Sequence, residues 1–299
     1  MKVKLFKRVL VDCAPRRERR WGHWQFPMLY ACQGRYVYHF ADAADAYDSY
    51  GHPGWNYVAE TSAMHWTWCQ DDAFVMEARS LLLPNGDRIL KKNENSARME
   101  ELDLPSPVGA FDINHRHYIC YPSDLLPPEV GGLLLLRRKA GETEWKRECA
   151  VMKETHGIRC GFDGLIPAMQ ARANKLWMGP DGKVYLLVYN FKMNDDGTPD
   201  PRDRVYLMRS DDMARTFEEI GEIPYVTDPV DDPRGMSPDR RGFLEPDMIF
   251  LDEKKILCVM RTCHRENGPM YATRSLDGGV TWEKPWVIMN HGVYPHMVH

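Results

Sequence analysis

The sequence predicts an all-β chain assembled from one repeated sheet unit. Three observations carry that prediction. Short β-rich apolar runs recur, as in Val184-Tyr185-Leu186-Leu187-Val188-Tyr189 and Ile256-Leu257-Cys258-Val259-Met260-Arg261, and runs of this kind bounded by turn residues read as strands. Strong turn signals separate them, Pro180-Asp181-Gly182-Lys183 above all. A closing pattern, Ser-x-Asp-x-small-x-Thr-aromatic, follows two of the strand groups, and internal repetition is the mark of architectures built from stacked supersecondary units.

Taken along the chain, the first unit opens at Phe26-Pro27-Met28-Leu29, turns at Gly34-Arg35, runs through 36–40 and closes over 61–68 at Thr67-Trp68, with the carboxylate of the closing pattern lost. The second opens at Leu81-Leu82-Leu83-Pro84-Asn85-Gly86-Asp87, continues at 133–138 and turns to Trp145. The third opens at Leu165-Ile166-Pro167-Ala168-Met169, has strands at 184–189 and 204–209, and closes over Ser210-Asp211-Asp212-Met213-Ala214-Arg215-Thr216-Phe217. The fourth is the clearest: strands at 244–250, 256–261 and 270–274, then Ser275-Leu276-Asp277-Gly278-Gly279-Val280-Thr281-Trp282. A fifth opening stands at Tyr294-Pro295-His296-Met297-Val298.

The closing pattern has a physical logic of its own. Ser, Thr and Asp side chains bond the backbone amides of a tight turn, glycine supplies positive φ, and the terminal aromatic buries a large apolar area between sheets. We therefore expect a hairpin staple with no part in chemistry.

Composition narrows the function. The 299 residues are 43% hydrophobic with a formal net charge of −4, enough for a large buried core. Basic residues cluster only at Arg16, Arg17, Arg19 and Arg20 and then disperse, which argues against a nucleic-acid partner. The longest apolar stretches are far shorter than the roughly 20 residues a bilayer requires, so no membrane partner is expected. Residues 1–11 lack the continuous apolar core of a signal peptide. The eight cysteines include no Cys-x-x-Cys pair, and a reduced, cytoplasmic setting is expected rather than a disulfide framework, unless a leader has been removed.

The closing turns resemble the Asp-box of the sialidase (neuraminidase) superfamily. Ser275-x-Asp277-x-Gly279-x-Thr281-Trp282 matches at every defined position, and 210–217 matches with Ala214 at the second glycine position. Glu245-Pro246 at a strand start and Arg261 at the end of the next strand, sixteen residues apart and followed by an Asp-box, also follow the family's order. The resemblance implies a six-bladed β-propeller, of which about four blades and the opening of a fifth fall within residues 1–299, read as one incomplete domain. It implies an exo-glycosidase that removes a terminal sugar, with sialic acid the leading substrate, no cofactor, and a glycan or small sugar as partner.

The same resemblance assigns roles residue by residue. Glu245 is the base beside a tyrosine nucleophile, which is unusual among glycosidases in not being a carboxylate, and Arg261 is one of three arginines gripping the sugar's carboxylate through a bidentate fork. The tyrosine and the third arginine are expected beyond residue 299. Gln25, in Gln25-Phe26-Pro27, stands where the family has its first arginine, and losing that charge weakens the case for an acidic sugar. Asp48, with Asp42 and Asp45 in the same loop, has the spacing from Gln25 expected of the acid/base; counting back from the degenerate first closing turn reaches Asn56 instead. Asp163, in Gly161-Phe162-Asp163-Gly164, faces either the site or a turn. His23 and Trp24 serve either sugar stacking or core packing. His115 and His117 share one side of an extended chain but lack a third ligand at useful spacing, so no metal site is expected. Two rival readings remain open: a propeller hydrolase for a neutral or uronic sugar, and a non-catalytic glycan-binding propeller.

Overall fold

The computed structural model describes residues 24–42, 54–60, 65–92, 96–113, 115–167, 173–238, 240–262, 268–292 and 295–297, with side chains at 24–27, 40–42, 54–55 and 173–174 left out. The chain divides into two compact units, one up to Ser80 and one from Leu81.

The first unit is a single four-stranded antiparallel blade, β1 (Trp24–Cys32), β2 (Arg35–Asp42), β3 (Gly54–Glu60) and β4 (Thr67–Trp68), in meander order. Helix α1 (Asp72–Arg79) starts where the Asp71 side chain accepts from the Phe74 amide at 3.0 Å, an ordinary N-cap. Its apolar face, Phe74, Val75 and Ala78, covers Val37. The expected closing turn at Thr67-Trp68 is instead this fourth strand, and Trp68 is exposed.

The second unit holds three blades. The first comprises β5 (Leu81–Leu82) and β6 (Arg88–Lys91), then, after an insertion, β10 (Leu133–Arg138) and β11 (Lys146–Lys153). The insertion carries β7 (Ala97–Arg98), β8 (Gly109–Ile113) and β9 (Arg116–Pro122). After the blade, β12 (Ile158–Gly161) joins β9 and β8 in a three-stranded sheet, and β13 (Leu165–Ile166) pairs with β7. The next blade is β14 (Ala173–Met178), β15 (Val184–Asn190), β16 (Arg204–Ser210) and β17 (Thr216–Ile223). The last is β18 (Phe243–Phe250), β19 (Ile256–Thr262), β20 (Met270–Ser275) and β21 (Trp286–Met289). Within this unit the inner strand β14 packs beside β5 and β6 on one side and β18 on the other. The all-β class and the propeller-blade architecture are therefore as expected.

One expected blade opening is corrected. Leu165-Ile166-Pro167 does not start a blade; Leu165 and Ile166 pair with Arg98 and Ala97 in a side ribbon, and the inner strand is β14. Both segments can form short strands, but only β14 is joined through a short turn, Gly179 to Lys183, to the strand it must pair with.

The blades stack through two apolar cores. Leu133, Leu135 and Met152 meet Leu186, Met208 and Phe217 in one; Tyr185, Leu187 and Leu207 meet Met248, Ile256 and Trp282 in the other. Each core ends on the aromatic of a closing turn. In both turns a serine hydroxyl bonds the aspartate at 2.8 Å and accepts an amide four residues on, and the aspartate accepts the threonine amide, from Thr216 at 2.8 Å and Thr281 at 2.9 Å. The Thr281 hydroxyl and amide hold the Asp277 carboxyl below its ordinary value. These turns are staples, as their sequence predicts.

Candidate active site at the bulge of the last described blade

Inner strands are not regular. Pairing slips between Gln25 and Met28 in β1, between Ala173 and Leu176 in β14, and between Leu244 and Asp247 in β18. A bulge of this kind bends the strand and re-aims side chains, and such bulges concentrate next to active sites. In β18 the bulged residues are Glu245 and Pro246, which together face the single residue Met260 of β19. Proline suits a bulge because it has no amide to offer the ladder, and Glu245 adopts φ +48°, which non-glycine residues seldom do.

The strand is fixed just before that point. Gly242, at φ +99°, forms a bridge to Asp203, and a Cβ there would stand 2.2 Å from the Asp203 carbonyl oxygen. Arg241 donates to the buried Asp203 carboxylate at 2.7 Å. On the neighbouring strand, Thr262 accepts from Arg240 at 2.7 Å, and Arg240 in turn grips Asp232 at 2.8 Å.

Between these anchors Arg261 meets Glu245 in a two-point fork, Nε to Oε2 at 2.5 Å and Nη2 to Oε1 at 2.7 Å. The register places Arg261 opposite Leu244, so its side chain crosses to the bulged residue beside it. The Glu245 side chain is 12% exposed and that of Arg261 21%, so both are held firmly yet reachable from solvent.

A second cluster lies two residues further on, and sequence reasoning missed it. Asp247, 2% exposed, takes Lys175 Nζ at 2.9 Å and the Met297 amide at 2.7 Å, with His296 Nδ1 3.7 Å away. Lys175 also donates to the Met297 carbonyl at 2.5 Å and lies over the Trp177 ring. Burial pushes the Asp247 carboxyl up and the Lys175 ammonium down, each against the pull of the other. The signal in the sequence is Asp247, a charged residue inside an apolar strand; its partner is hidden because Asn174 and Lys175 break the apolar pattern of β14.

The remaining candidates fare differently. The Gln25 backbone pairs with Ala41 at the bulge of β1; its side chain, Asp48 and His23 lie outside the described residues, as does the Trp24 side chain. Asn56, the alternative to Asp48, bonds His39 Nδ1 at 2.8 Å. Asp163 occupies an exposed turn between β12 and β13 at φ +52°, which makes it a turn residue of the side ribbon. His117 pairs with Asp112 at 3.0 Å, and His115 sits in the preceding turn at φ +60°.

No family model matches the chain, and no curated protein does. Solved structures resemble it at low identity. A protein of unknown function from Dyadobacter fermentans is 15% identical with a TM-score of 0.49, covering 89% of this chain and 69% of that one. A mutant NanB sialidase from Streptococcus pneumoniae is 10% identical with a TM-score of 0.46, covering 94% and 54%. An endo-arabinase from Bacteroides thetaiotaomicron is 11% identical with a TM-score of 0.42, covering 89% and 81%. The chain thus spans about half the length of that sialidase.

Proposed function

We propose that this chain belongs to a propeller glycoside hydrolase that removes a terminal sugar, with the Glu245–Arg261 pair at the centre of its chemistry. The observation that carries the reading is the pair itself: a glutamate on a left-handed bulge, doubly hydrogen-bonded by an arginine from the next strand and still open to solvent. A backbone conformation that costs on the order of 1–3 kcal/mol persists where the surroundings enforce it, and such strain concentrates at working sites. Hydrolysis of a glycosidic bond needs a nucleophile at the anomeric carbon and an acid for the departing oxygen. In this reading Glu245 takes the proton of the nucleophile, Arg261 positions Glu245 and meets the sugar, and Asp48 supplies the acid. Gln25 contributes a contact to the sugar, whereas Asp163, in its exposed turn of the side ribbon, is left out of this reading.

The sugar is a separate matter, and two observations favour an uncharged one over sialic acid. Two of the three Arg261 guanidinium nitrogens donate to Glu245, which offsets the charge a sugar carboxylate would seek. Gln25 stands where a first clamping arginine would be needed, and neutral donors bind carboxylates about half as strongly as charged ones.

The test is a panel of chromogenic aryl glycosides, sialosides, uronides and neutral sugars together, offered to the full-length protein. Release of the aryl group from a neutral glycoside is the expected result. Release from the sialoside alone overturns the uncharged-sugar reading, and a folded protein that cleaves none of them overturns the hydrolase reading.

A further inference from the structure

The three-stranded sheet beside the second unit's first blade carries a feature that sugar hydrolysis does not use. Cys120 on β9 and Cys160 on β12 stand directly opposite each other in antiparallel register, between the pairs Arg159–Tyr121 and Gly161–Ile119. Their Sγ atoms are 2.8 Å apart, and both residues are buried. Opposed residues of antiparallel strands have Cα atoms about 4.5 or about 5.5 Å apart, depending on the ladder position. Both distances fall inside the roughly 4.4–6.8 Å that a disulfide spans. Bond formation therefore asks only for side-chain rotation, with the backbone left where it is.

We propose that Cys120 and Cys160 are a redox modification site that closes to a cross-strand disulfide. The oxidant is a low-molecular-weight disulfide such as oxidised glutathione. One cysteine loses its proton and attacks it, forming a mixed disulfide and releasing one reduced thiol. The second cysteine loses its proton, attacks the protein-side sulfur and expels the other thiol. Two protein thiols give up two protons and two electrons, and the oxidant takes them up. Because both sulfurs are buried, reaction waits for local opening of β12, which lies at the edge of its sheet.

The bridge has reach. The chain between the two cysteines includes β10 and β11, half of a blade, so a cross-link there restricts the unfolded chain over a long loop. β12 also leads directly into the turn that holds Asp163 and contains Arg159, whose guanidinium pairs with the buried Glu154. The proposal stands whether or not the protein cleaves sugars.

The experiment incubates full-length protein with oxidised or reduced glutathione, blocks remaining thiols under denaturing conditions and maps the peptides by mass. The expected result is one linked peptide pair joining Cys120 to Cys160, reversed by dithiothreitol, and a melting temperature higher by roughly 5–8 °C in the oxidised form. Cys160→Ser abolishes the linked pair; Cys120→Ala, which keeps the site small and apolar, gives the same result if the serine variant does not fold. Both cysteines remaining alkylatable, separate glutathione adducts on each, or linkage of either to another cysteine overturns the proposal.

Discussion

Two of the glutamate–arginine pairs in the second unit, Glu154–Arg159 and Glu245–Arg261, differ in access and in backbone conformation. Glu154 pairs with Arg159 at 2.8 Å and accepts the Tyr206 hydroxyl, with the Glu154 and Arg159 side chains only 1% and 2% exposed. Burial pushes the Tyr206 hydroxyl well above its ordinary value, so it stays a donor. This cluster too joins a glutamate, an arginine and a tyrosine, yet its carboxylate and guanidinium are sealed from solvent. Glu245 and Arg261 carry the same charged groups but stay partly exposed, and Glu245 sits on a bulge at φ +48°, whereas Glu154 directly follows the end of β11. Residue types alone do not distinguish the two pairs; access to solvent does.

The largest effect that tests this difference is on the sealed side. Removing one partner of a buried pair leaves the other charge stranded, at a cost of about 3–5 kcal/mol, so Arg159→Ala is expected to lower the chemical-denaturation midpoint severely. Arg261→Ala is expected to cost about 1–2 kcal/mol, between the exposed and buried limits. Equal losses in the two variants would erase the distinction.

The closing turns sharpen the scaffold side. Gly279 lies at φ +98°, and a Cβ would stand 2.2 Å from Leu207 Cδ2, so Gly279→Ala is expected to cost about 2 kcal/mol by urea melting. The third blade's turn holds Ala214 in the same place at φ +64°. That blade carries the strain natively, and Ala214→Gly is expected to gain about 0.5–1 kcal/mol.

The first unit supplies a smaller test, set by pH. Burial, with the nearby Arg79 charge, pulls His39 down to about 4. The folded state therefore keeps His39 neutral while the unfolded chain takes a proton below its ordinary pKa of about 6.5. The stability associated with the neutral ring is complete above that value and is lost as pH falls toward 4, by about 1–2 kcal/mol at pH 5. His39→Gln should flatten this slope without touching the second unit.

The last described blade was the most legible part of the sequence. Its strands alternate with polar turns, its closing turn is complete, and Glu245 and Arg261 sit at strand ends where charge stands out. The entry to the preceding blade was not legible. Leu165-Ile166-Pro167 imitates the apolar-proline opening, whereas the true inner strand carries Asn174 and Lys175 at its bulge and so breaks the apolar pattern. What makes Lys175 acceptable there is Asp247, seventy-two positions later, and a partner that distant leaves no local trace. The long insertion between β6 and β10 is hidden for a related reason: its strand β7 pairs with β13 and its β8–β9 hairpin with β12, both beyond the blade.

The central claim, that Glu245 works while its surroundings merely hold it, is tested most directly by Glu245→Gln in the full-length protein. The measurement is the initial rate on whichever aryl glycoside the wild type cleaves, alongside thermal melting of the same sample. The account predicts a rate lower by about 100- to 10,000-fold with the melting temperature within about 2–4 °C of wild type. Turnover retained within a factor of two, or a loss of rate explained by unfolding, would contradict it.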